Sequence, residues 1–210
     1  MFLLFNRYIN RVFLALSVIV SLAACVVLNF EAYETYRSYQ HPFLTMLVVG
    51  FYVLMITKLD FTNGIYIMRF SSRAQCMLKT MASLCLFALE YYSVLLALFI
   101  LICLGMGGAV SAASVLFCYV FTLLSLFVLN VFYVILSFKF SGLLTKIFLY
   151  SILFLGYAMN FSGEIFIRYN FFFFNMYTSL DQGVLIGTLV TYCSLIFVGT
   201  IFLQVRDKEL

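Results

Sequence analysis

Long apolar runs alternate with short polar intervals along the whole chain, and six of the runs predict membrane-crossing helices. They cover residues 12–30, 42–57, 81–104, 113–137, 147–161 and 184–203. A span needs about 20 mainly apolar residues, and the second and fifth runs are short by that measure. The second extends into Lys58 if that side chain snorkels. The runs are continuous and do not alternate with period two, which argues for helices and against the strands of a barrel. Pro42, the only proline, stands at the first turn of the second run, where its missing N–H costs nothing.

The intervals are less uniform. Residues 1–11 (MFLLFNRYINR) read as an interfacial segment, with Phe2, Leu3, Leu4 and Phe5 toward lipid and Arg7 and Arg11 toward phosphates. Residues 31–41 form a short polar loop whose tyrosines suit the headgroup level. Residues 105–112 (GMGGAVSA) are an uncharged turn, and 138–146 (FKFSGLLTK) a basic connector. Residues 162–183 are too polar to span and too aromatic for a free linker. They read as short helices at, or dipping into, the outer face, with Phe171 to Phe174 as an interface-seated aromatic cluster.

Charge then sets the orientation. Lys and Arg resist translocation and collect on the cytoplasmic side. With the N-terminus inside, ten of the twelve basic residues fall inside and only Arg37 and Arg168 outside. The expected fold is therefore an all-α integral membrane protein of one domain, six helices, with both termini cytoplasmic.

Composition supports the same class. Of 210 residues, 66% are hydrophobic and 10% charged, against roughly 25% charged in an ordinary soluble domain. The net charge of +4 reads as topology; a nucleic-acid surface needs clustered basic residues with exposed aromatics. The six cysteines have no CxxC spacing, and five lie in apolar runs, as small buried residues do. His41 is the only histidine and there is no HExxH, so zinc hydrolysis has too few ligands; with no paired acids within spans and no serine–histidine arrangement, no enzyme is expected. Leu22-Ala23-Ala24-Cys25 looks like a lipoprotein cleavage box. The apolar run continues past Cys25, which favours an uncleaved span.

The most patterned interval is 58–80, KLDFTNGIYIMRFSSRAQCMLKT. It carries Lys58, Arg69, Arg73 and Lys79 against one acid, Asp60. As a helix, it would place Ile65, Met68 and Ser72 on one face and Arg69, Arg73 and Cys76 on another. A positive loop of this kind is also what topology alone requires. The string Arg69-Phe70-Ser71-Ser72-Arg73, running to Lys79 and the third span, resembles the R-[FY]-x-S-[RK] segment of small permease subunits in bacterial exporters of the ATP-binding cassette (ABC) class. Cys76 departs from the pattern, since family members often carry an aromatic residue there. The resemblance covers nearly the whole chain as architecture and about a dozen residues as motif.

It implies a coupling helix between spans two and three that docks on a separate ATPase through Arg69, Phe70, Ser71, Ser72, Arg73 and Lys79. It also implies re-entrant outer helices before span six, a second permease subunit (the same or related), and an apolar or amphipathic cargo such as a peptide. The chain has no GxxxxGK[ST] loop, so ATP and Mg would be held by the partner. The rival reading is an ATP-independent six-helix protein acting as an immunity or assembly factor.

Glu90 is the one acid deep in a span. A carboxylate in hydrocarbon costs roughly 2.5–3.5 kcal/mol on insertion scales. It is either a polar feature of the translocation path or part of a helix interface, with Asn130 a partner by depth. A proton-driven transporter working through Glu90 is less favoured, because no inverted repeat is visible. Gly183 and Gly187 form a GxxxG spacing that reads as packing.

Overall fold

In the computed structural model the described residues are Ala15, Ile19, 42–57, 72–105, 112–159, Val190, 193–199 and Ile201. They are helical apart from turns, and no strand occurs among them. Four helices carry the fold: α1 (Pro42–Ile56), α2 (Arg73–Gly105), α3 (Ala112–Lys139) and α4 (Gly142–Met159). Residues 193–199 add a further helical stretch. Two helical segments, Gln75–Ile102 and Thr122–Lys139, are long and apolar enough to cross a membrane. Apart from Ala15 and Ile19, the predicted first span lies outside the described residues, as does the outer segment 162–183.

The helix ends differ from the expected ones, for local reasons. The predicted third span opens at residue 81, whereas α2 begins at Arg73. Ser72 caps it: the Gln75 N–H donates to Ser72 Oγ at 3.1 Å, and the Cys76 N–H donates to the Ser72 carbonyl at 3.1 Å. Ser72-Arg73-Ala74-Gln75 has the S-x-x-Q spacing of a capping box, a start signal stronger than the hydropathy edge. The basic connector 138–146 likewise shrinks to Phe140 and Ser141, because α3 continues to Lys139 and α4 starts at Gly142. The Phe140 N–H donates to the Leu136 carbonyl at 2.8 Å and the Thr145 N–H to the Ser141 carbonyl at 3.0 Å, so backbone bonds carry both helices into the turn.

The packing is a closed ring. Helix α1 touches α2 and α4, and α3 touches α2 and α4. Paired contacts give the directions: Tyr52 meets Leu84 while Val48 meets Tyr91, so α1 and α2 are antiparallel. A two-residue turn forces the same on α3 and α4. The inward residues include Tyr52 and Ile56 of α1, Leu84 and Ala88 of α2, Leu126 and Val134 of α3, and Leu149 and Leu153 of α4, all buried. The stretch 193–199 approaches α3 closely, since a Cβ on Gly199 would run into Cγ1 of Val131.

Candidate functional site

Antiparallel alternation gathers the basic residues of the described helices at one end. It brings together the C-terminus of α1, the N-terminus of α2, the C-terminus of α3 and the N-terminus of α4. Arg73 is the first residue of α2; Lys79 lies about 9 Å further along, at 1.5 Å per residue. Lys79, Lys139 and Lys146 are exposed. Lys139 Nζ sits 5.5 Å from the Phe140 ring centroid, and the Phe140 and Phe148 centroids are 5.2 Å apart. The hairpin tip is thus an aromatic pair flanked by two cations.

Helix dipoles treat these cations differently. Lys139 stands in the last turn of α3, where the partial negative charge favours it. Arg73 opens α2, whose first turn holds no acid, so its position opposes the dipole. The Ser72 cap offsets part of that cost. Helix stability alone does not account for Arg73.

Of the residues expected to couple to a partner, Arg69, Phe70 and Ser71 lie outside the described residues. Ser72 is exposed, but its hydroxyl is engaged as the cap. Cys76, expected on a polar edge with Arg69 and Arg73, is instead fully buried. Once α2 starts at Arg73, the Cys76 position faces the ring interior next to Met77 and Thr80, which are also buried.

Deeper in the ring is a polar centre that hydropathy did not reveal. The Tyr52 hydroxyl donates to Asn130 Oδ1 at 2.7 Å and lies 3.2 Å from the Leu84 carbonyl, tying α1 to α3 across the ring and to α2 beside it. Tyr91 OH donates to the Val48 carbonyl at 2.8 Å. Both tyrosines and Asn130 are buried. The two rings lie 5.4 Å apart, with Phe87 stacked 5.7 Å from Tyr52. Asn130 Nδ2 has no partner in this arrangement.

The structure does not bring Glu90 and Asn130 together. Glu90 is exposed on the outer face of α2, whereas its neighbours Tyr91 and Tyr92 point inward. The sequence signal for the missed centre is a set of hydroxyl-bearing aromatics and one amide inside apolar runs. It identifies the polar groups without saying which face each takes.

Among the described residues no group of three or more His, Cys, Asp or Glu side chains is placed to hold a metal ion. Comparison with known proteins returned no matching family model, curated protein or solved structure.

Proposed function

We propose that this chain is the membrane-spanning permease subunit of an ABC exporter in a bacterial cytoplasmic membrane. It would form a path for an apolar or amphipathic cargo, such as a peptide, and be powered by separate ATPase subunits that bind ATP and Mg. The full reading has six spans, both termini inside, and a coupling segment between spans two and three.

Large apolar side chains facing outward support membrane residence. Leu86 is 61% exposed, Leu101 65% and Leu143 71%, a surface that water does not tolerate over such an extent. The observation that carries the mechanism is the continuity of α2 with the connector. The last eight residues of the 58–80 interval are the first two turns of a helix of 33 residues, about 50 Å long at 1.5 Å per residue. A force applied at the capped, basic start of α2 is therefore transmitted along one rod to the far end of the ring. Closure of the ATPases would push on residues 58–72 and rock α2 against α1 and α3.

The test is purification from membranes under mild extraction together with the ATPase expected beside it. Co-purification, with ATP hydrolysis that responds to the permease, supports the reading. Charge reversal at Arg69 and Arg73 should then reduce that coupled hydrolysis at least several-fold while leaving the helical signal intact. Recovery of the chain without an ATPase, or full coupling after reversal, would sink the proposal and favour the ATP-independent reading.

A further inference from the structure

Within the ring Tyr52, Tyr91 and Ser137 find hydrogen-bond acceptors, while Thr80 Oγ1, Asn130 Nδ2, Thr145 Oγ1 and the Tyr150 hydroxyl are buried without one. The outer face of α2 carries a further polar group, Glu90, at the middle of an apolar stripe. Ala82, Leu86, Glu90, Val94, Ala97 and Leu101 are all exposed, at spacings of three and four residues, and so form one stripe along α2. The stripe lies inside the segment Gln75–Ile102, which is long and apolar enough to cross a membrane. Glu90 is near its middle, one turn from Leu86 and one from Val94. Among the described residues its carboxyl has no hydrogen-bonding or ionic partner. Lys79, on the same face, is 11 residues away, about 16 Å along the axis and beyond reach.

We propose that the α2 stripe centred on Glu90 is the contact surface for a second copy of this chain, with the two Glu90 carboxyls hydrogen-bonded to each other. Carboxyls are self-complementary in a way that ammonium and guanidinium groups are not. A pair sharing protons has a donor and an acceptor on each side, and in hydrocarbon nothing else competes for them. A two-fold axis along the membrane normal brings each residue of the stripe to its own counterpart, so Glu90 meets Glu90 at equal depth. Ala82 and Ala97, about two turns to either side, are small enough to let the two backbones approach. This inference rests on the membrane-spanning part of the reading above and does not depend on the ATPase.

The experiment uses the full chain in membranes, co-expressed with two different tags. A photoreactive benzoylphenylalanine is placed at position Leu86, at Val94, or at Leu155 on the exposed face of α4. Irradiation at 86 and 94 should give an adduct of twice 24.1 kDa carrying both tags; the Leu155 control should not. Glu90→Leu should lower the yield about tenfold, whereas Glu90→Gln, whose amide both donates and accepts, should hold it within about twofold. No adduct at 86 and 94, an adduct to another protein there, an equal yield at 155, or a yield indifferent to Glu90→Leu would each overturn the proposal. ATPase co-purification scored on the same preparations reports separately on the transport reading.

Discussion

Asn130 and Glu90 are polar residues placed well inside long apolar helices, and the molecule handles them in opposite ways. Asn130 faces the ring and is met by Tyr52 from the helix diagonally across. Glu90 faces away from the ring, between Leu86 and Val94, with nothing described beside it. The interior bond ties α1 to α3 and so favours the arrangement in which these two helices face each other across the ring. The exterior displays polarity that the described residues leave unused. In an apolar solvent an unmet polar group is a stronger instruction to associate than any apolar surface, since lipid competes for the latter and not for the former.

The comparison breaks most readily at Tyr52. Tyr52→Phe leaves the Asn130 amide buried without its phenol, and unfolding in detergent should show a loss of about 1–3 kcal/mol. A double-mutant cycle with Asn130→Ala should return a coupling of about 0.6–1.7 kcal/mol; zero coupling would mean that the diagonal bond contributes nothing.

The next effect is at the start of α2, where interior and exterior faces are first set. Ser72→Ala should cost about 1 kcal/mol of helix stability, and Ser72→Asp should largely restore it. Amide exchange over residues 73–80 measures both, and unchanged protection in the alanine variant would remove the cap from the account.

The smallest effect sharpens the contrast. Glu90→Gln should change the unfolding free energy of the isolated chain by less than about 0.5 kcal/mol, as exposed substitutions do. A loss comparable to that of Tyr52→Phe would show that Glu90 is held within the chain after all.

Four helices were legible as apolar runs because their length and continuity leave few alternatives. Their starts were less so. Lys79 and Arg73 lower the hydropathy of the first two turns of α2, and the Ser72–Gln75 capping signal outweighs them. The site was harder to read for a reason peculiar to apolar helices. In a water-soluble helix, polar residues mark the outer face; here Leu86 and Leu101 point outward as freely as Leu84 and Leu95 point inward. Tyr52 and Tyr91 could not be assigned inward by pattern, nor Glu90 outward. Cys76 was misplaced because its expected face came from a helix register extrapolated from Arg69.

The ring also has one joint unlike the rest. Neighbours α1 and α2, α2 and α3, and α3 and α4 are consecutive in the chain, the last pair through only two residues. Helices α1 and α4 are adjacent in space without being consecutive, and the tyrosine bonds described above all lie elsewhere. The ring is therefore closed by packing between the first and last of its four helices and not by the run of the chain.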